Sequence, residues 1–342
     1  MILFGWFGAR PHRALFVAIS AVVWFVLSVG SAQADSAVPT NYKSSVLDVE
    51  PDSTVADFAV VGGDGFLEIT VAAGHTALIP GYFDDPYIRI DQDGTVWVNH
   101  DSPAYFINQD RYGRVQAPAA ADGRGEPQWE RVAGGGSYAW QDHRIHWMSF
   151  DLPPVVSGDH YQFVFPWDVP IEVDGRELSV RGELVYVPSR SPYPALLAGL
   201  VGLLPLVGRR SRDTVPVTLF GIVAGAVAVL ATGMQLSGTP PPVRTFPVAA
   251  AAPLLAVVLA LIALVLRRMS VARWLSLLCG LLLAVWAVAN LGTLWLPVLP
   301  SSSWSDLQRV ATSFVLWSGV AVAGASVAAS LAALADRRSR IA

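Results

Sequence analysis

Two kinds of hydrophobic spacing divide this chain. Between Ser45 and Val187, apolar and polar residues alternate in short runs. These are Val55–Val61, Phe66–Val71, Thr76–Ile79, Tyr87–Ile90 and Thr95–Asn99, then Ser137–Phe150, Tyr161–Phe165, Pro170–Val173 and Leu178–Val187. Each is rich in Val, Ile, Thr and aromatics and is bounded by Gly, Pro or Asp, as half-buried strands are. Asp91-Gln92-Asp93-Gly94 and Asp174-Gly175 read as hairpin turns, because Gly takes a positive φ without steric cost. Asp91 and Asp93 also resemble half a calcium loop, but the remaining ligands are missing, so the turn reading stands. Strands without a convincing amphipathic helix predict two packed antiparallel sheets, an all-β sandwich of immunoglobulin or cupredoxin-like type.

After Ser191 the alternation stops. Five apolar stretches follow, at about Tyr193–Val207, Val215–Leu236, Phe246–Leu266, Trp274–Leu296 and Val310–Ala335, with no Asp, Glu, Lys, Arg or His inside any of them. They predict an all-α bundle of five transmembrane helices over residues 191–336, the first of them short and carrying Pro205. Arg209, Arg210 and Arg212, then Arg267, Arg268 and Arg273, then Arg337, Arg338 and Arg340 follow alternate spans, while the opposite loops hold Arg244 and Arg309. Arg collects on the cytoplasmic side, so residues 337–342 form a cytoplasmic tail and the domain before span one faces outward. Residues 1–34 agree: Arg10 and Arg13, the apolar run Ala14–Gly30 and Ala32-Gln33-Ala34 form a signal peptide, with an uncleaved anchor as the alternative. The expected protein is therefore a multi-pass plasma-membrane protein with residues 35–190 outside the cell. The linker Pro188–Pro192 is too short to let that domain leave the membrane surface.

Composition adds limits. The hydrophobic share of 53% comes from the C-terminal half, and the net charge of −4 with no basic stripe gives no reason to expect nucleic acid. Cys279 is the single cysteine and lies in an apolar stretch, so thiolate metal sites and disulfides are excluded from the outer domain. Charge-moving transporters need ionisable groups at membrane depth, and the spans have none. Asn290 and Gln235 read as interhelical hydrogen-bonding groups. Gly221 with Gly225, and Gly319 with Ala323, mark close helix approach, within the bundle or against a membrane-protein partner or second copy.

The densest set of chemistry-bearing side chains is Tyr138–Met148, YAWQDHRIHWM. His143, His146, Asp142 and Met148 are the candidate metal ligands, with copper leading because imidazole and thioether are present and thiolate is not. In a regular strand His143 and His146 point to opposite faces, and Asp142 pairs with Arg144. A bulge or turn between them brings both rings together. His75, His100 and His160 join such a site only if the fold brings them there. The long stretch Gly113–Gly136 precedes this segment and is a candidate cover, with Trp129 docking part of it back. A second cluster, Asn99–Tyr112, mixes aromatics, amides and charges, which suits either ligand gripping or core and turn packing. No GxSxG, HExxH or phosphate-cradling loop occurs, so no enzyme class is indicated.

The run WQDHRIHWM, with GYFDDPYIRI before it and WDVPIEVDGRELSVRGELVYVP after it, resembles a group of uncharacterised actinobacterial membrane proteins. That resemblance covers the outer domain and its anchor and carries no activity. Those proteins often have His at the position of Gln141, and Gln is a poor metal ligand. More faintly, the final hairpin with Trp167, Asp174-Gly175 and Gly182 is similar to periplasmic copper-resistance domains, which are small β-sandwiches. Arg176 stands where those domains place a histidine. The expected function is a membrane-anchored outer binding module, its ligand open and copper the leading metal, with an envelope scaffold or assembly factor as the alternative.

Overall fold

A computed structural model describes residues 37–207, 214–241, 246–301 and 303–339. The expected signal peptide and the charges Arg209, Arg210, Arg212, Arg244 and Arg340 lie outside the described residues.

Ten strands form two antiparallel sheets. The larger contains β1 (Tyr42–Glu50), β4 (Ala77–Pro80), β5 (Pro86–Ile90), β6 (Val96–Asn99), β7 (Trp129–Ala133), β9 (Gln162–Val173) and β10 (Arg176–Tyr186), in the order β1-β10-β9-β4-β5-β6-β7. The smaller is β2 (Ala56–Val61), β3 (Phe66–Val71) and β8 (Ser137–Trp140), in the order β2-β3-β8. Alternation places one face of each strand in a shared core, where Leu67 and Ile69 of β3 meet Ile88, Ile90, Val169, Ile171, Val180 and Leu184 of the larger sheet. Asp174 and Gly175 both take positive φ, 51° and 75°, and join β9 to β10 as a two-residue hairpin.

Three sequence expectations change. β9 is one continuous strand across Pro166 and Pro170 rather than two short ones. β1 and β7 are additional strands, and a short helix, α1 (Pro103–Ile107), interrupts the β region with Ser102 as its N-cap. Ser137–Phe150 is not a strand throughout: β8 ends at Trp140, and the chain turns at Asp142.

The C-terminal part is helical. Among the described residues three helices are long and apolar enough to cross a membrane: α3 (Val215–Ser237), α5 (Val271–Ala289) and the stretch Ser305–Asp336 of α7 (Ser305–Ser339). Two shorter apolar elements lie between or before them. The first is α2 (Tyr193–Gly199), continued by a 3₁₀ turn over Leu200–Leu206, and the second is α4 (Phe246–Val265). A four-residue helix, α6 (Gly292–Trp295), follows α5. Small residues set the packing. A side-chain carbon on Gly280 would lie 2.5 Å from the backbone of Ala323, so α5 and α7 touch through their backbones, and one on Gly225 would lie 2.5 Å from the Val257 side chain, which packs into the space the glycine leaves. Gln235 donates to Thr293 between elements, whereas Asn290 donates to Trp286 of its own helix.

Sandwich and bundle are joined directly. Thr40 and Val298 exchange both backbone hydrogen bonds, at 2.9 and 3.1 Å, and Arg190 N–H donates to the Trp295 carbonyl at 2.7 Å. Buried Arg309 donates to the carbonyls of Thr293 and Pro297, bracing the same 292–298 segment from the helix side. The short linker and the start of β1 therefore rest on one loop.

Candidate functional site

Two facing turns build the site. In the first, Ile145 N–H donates to the Asp142 carbonyl, closing a turn over Asp142-His143-Arg144-Ile145. Asp142 initiates it, with Oδ1 accepting from Arg144 N–H at 3.0 Å, the local bond that makes Asp a turn residue. Ile145, fully buried, drives the turn into the sandwich core. In the second, Gly113 N–H donates to the Asp110 carbonyl at 3.0 Å, and the Asp110 carboxylate accepts from Tyr112 N–H and Arg114 Nε, both at 2.6 Å. Gly113 takes φ +63°, the left-handed conformation that glycine allows.

The turns lock together through the histidines. His143 Nε2 lies 3.0 Å from the Asp110 carbonyl, and His146 Nε2 lies 2.9 Å from the Arg111 carbonyl. A carbonyl oxygen only accepts, so each ring carries its proton on Nε2 and keeps a lone pair on Nδ1. The two rings stand edge to face, their centroids 5.1 Å apart at 74°. His146 is 2% exposed, and its Nδ1 is buried with no hydrogen-bond partner. Burial, then the Arg111 cation, holds the His146 pKa down at about 3, and burial lowers that of His143. Both rings are neutral at physiological pH.

The surrounding charges are already matched. Both Asp142 oxygens are occupied, by Arg144 Nε at 2.9 Å and its terminal nitrogen at 2.7 Å, with Trp140 Nε1 adding a third donor at 2.9 Å. The carboxyl is held below the usual range against its own burial, through its hydrogen bonds to Arg144 first. Arg111 pairs with Asp64 at 2.5 Å, and Arg114 with Asp110. Tyr82 hydroxyl accepts from His143 N–H and donates to Asn108, fixing the backbone beneath the rings. Gln141 is buried with Oε1 unpartnered.

Of the four candidate ligands read from the sequence, the fold sets the His143 and His146 rings side by side and commits Asp142 to Arg144. A side-chain carbon on Gly113 would lie 3.5 Å from His143 Nδ1 and 3.9 Å from Met148 Sδ, so these two donors border one gap. His75, His100 and His160 are elsewhere, paired with Asp174, Glu130 and Asp159. Among the described residues no three His, Cys, Asp or Glu side chains converge on a metal position.

No protein-family model, curated protein or solved structure matches this chain.

The other expected elements take structural roles. Asn99 bonds Asp101, Gln128 and the Pro86 carbonyl, and Asn108 takes the Tyr82 hydrogen bond, so the Asn99–Asn108 part of the second cluster is core and turn chemistry, while its end, Asp110–Tyr112, forms the turn facing the histidines. Asp91 accepts from Trp97 and pairs with Arg89, and Asp93 caps Thr95, leaving no half calcium loop. The stretch after Gly113 leaves the histidines: Gly123 packs on Asp85 and Gly125 on Asp101. Trp129 docks back as the first residue of β7, under the Arg89 guanidinium at 4.7 Å. The sequence placed Asp110 and Arg111 in the second cluster and Gly113 at the start of the candidate cover but did not join them to the histidines, and the Asp-x-x-Gly spacing of a turn was the available signal.

Proposed function

We propose that this chain is a membrane-anchored binding module whose sandwich stands outside the cell and takes a metal ion at His143 and His146. One observation carries the reading: two adjacent neutral imidazoles, each tethered through Nε2 to a backbone carbonyl, with the Nδ1 lone pair of His146 buried and without a donor. Metal-binding histidines are oriented in this way, with the distal N–H fixed by a carbonyl or carboxylate. The alternation of Arg along the chain supports the outward orientation, and apolar Tyr193–Leu206 and Ala250–Val265 support five spans in total. The Leu200–Leu206 stretch is 3₁₀, which rises about 2 Å per residue, so fourteen residues reach further than their number implies. The two-sheet core agrees with an immunoglobulin or cupredoxin-like sandwich, and the faint likeness of its last hairpin to copper-resistance domains puts copper first.

The test is metal binding by the full-length protein in detergent, titrated with Cu(II), Zn(II) and, under reducing conditions, Cu(I). One metal per chain with Kd of about micromolar or tighter is expected. Millimolar or absent binding of every metal removes the reading.

A second reading is an envelope scaffold. Exposed Phe150, Leu152, Val155, Tyr161 and Phe163 gather apolar side chains on the segment after the histidines, as contact surfaces do. A stoichiometric crosslinked membrane partner, indifferent to metal, favours this alternative.

A further inference from the structure

We infer that the ion held at this site is monovalent copper, bound by His143 Nδ1, His146 Nδ1 and Met148 Sδ with no carboxylate ligand. The inference rests on the metal-binding reading above and names the ion class and ligand set.

The donor atoms come first. Both Nε2 atoms are spent on the carbonyls of Asp110 and Arg111, so the Nδ1 atoms are the free ones. His146 Nδ1 is sealed and unpartnered. His143 Nδ1 and Met148 Sδ border the same gap at Gly113, where glycine leaves room that a side chain would fill. Met148 is 45% exposed, and its three rotatable bonds let the thioether close on an ion held by the tethered rings.

Charge then selects the ion. Every carboxylate beside the rings is neutralised by its own arginine: Asp142 by Arg144, Asp110 by Arg114 and Asp64 by Arg111. The available ligands are all neutral and the ion pairs beside them carry no net charge, so a divalent ion would keep both of its charges in a largely buried place. The desolvation cost of an ion rises with the square of its charge, so the monovalent ion is favoured. Thioether is a soft ligand and selects Cu(I) over Zn(II), and two or three donors satisfy Cu(I) where Zn(II) wants four. The lack of a third convergent His, Cys, Asp or Glu among the described residues fits this low coordination.

The experiment uses full-length protein in detergent under anaerobic conditions. Cu(I) is partitioned between the protein and a chromophoric Cu(I) chelator, with Zn(II) and Cu(II) titrated in parallel and copper-edge X-ray absorption recorded on the Cu(I) form. One Cu(I) per chain is expected, bound at least 100-fold tighter than Zn(II), with nitrogen and sulfur scatterers in the absorption spectrum. Met148→Leu, a volume-conserving change at an exposed position, should keep the fold, lose the sulfur scatterer and weaken Cu(I) about tenfold. His146→Gln should abolish binding. Retention of Cu(I) affinity and of the sulfur scatterer in Met148→Leu overturns the ligand set. Preference for Zn(II) or Cu(II) overturns the ion assignment while the metal-binding reading survives. Absence of all metals overturns both.

Discussion

Asp142 sits where three constraints meet: a turn, an ion pair and the indole N–H of Trp140. Removing its charge leaves the Arg144 guanidinium without its buried partner, which costs about 3–5 kcal/mol in such pairs. Asp142→Asn should therefore lower unfolding stability by that order in denaturant melts, and an effect under 1 kcal/mol would mean the pair is solvated. His146 gives a pH signature in the metal-free protein. Its folded pKa is held down at about 3, while the unfolded side chain titrates near 6.5. Between these values the unfolded state takes up a proton that the folded state refuses, so stability is full above about pH 6.5 and falls as pH drops toward 3. Melting the protein from pH 7 to 4 should show this decline, and His146→Gln should flatten it. The residue types of this site were legible in WQDHRIHWM. Their joint placement was not, because it depends on Ile145 entering the core and on the distant carbonyls of Asp110 and Arg111 meeting the rings, and neither is a local spacing.

At the scale of elements, most of the strands were legible because their alternation is strong. β1 was missed: Ser44 is its only fully buried residue, and a register shift between Val46 and Asp48 breaks the period. β9 was split because proline argues against a strand interior. Pro166 and Pro170 pair only with β10, since β4 meets β9 at Val173 and Glu172 alone. No second neighbour asks those positions for an N–H, so proline costs little there. The same hairpin is tight elsewhere. A side-chain carbon on Gly182 would fall 2.0 Å from the Trp167 ring and 2.3 Å from the Ser45 carbonyl. Gly182→Ala should therefore cost about 1–3 kcal/mol by overpacking and should move Trp167, whose Nε1 donates to Ser44 at 2.8 Å. Equal stability and an unchanged tryptophan emission spectrum would show that β1 can withdraw.

For the whole molecule, the junction of sandwich and bundle is the testable feature. Thr40 and Val298 exchange both backbone bonds, which places their Cα atoms about 5.5 Å apart. That separation suits a disulfide. The paired substitutions Thr40→Cys and Val298→Cys should crosslink when the purified protein is exposed to a mild oxidant. Buried Cys279, the chain's one native thiol, adds little background. Cleavage between the two positions, followed by a non-reducing gel, reads the result. Fragments that separate without reductant would mean that the sandwich is not seated as described. The two-part plan was readable from hydrophobic spacing, and the short linker implied proximity. The seating itself was not readable, because it rests on backbone bonds that any side chain can make.

The start of β1 and the end of β10 lie side by side, and both are pinned to the 292–298 segment through Thr40 and Arg190. A domain on a long tether would sweep its surface through a volume, but this one is seated on the bundle at the 292–298 segment. On the metal-binding reading proposed above, a molecule delivering or receiving the ion would have to come to His143 and His146 where the sandwich sits, and its reach would limit exchange.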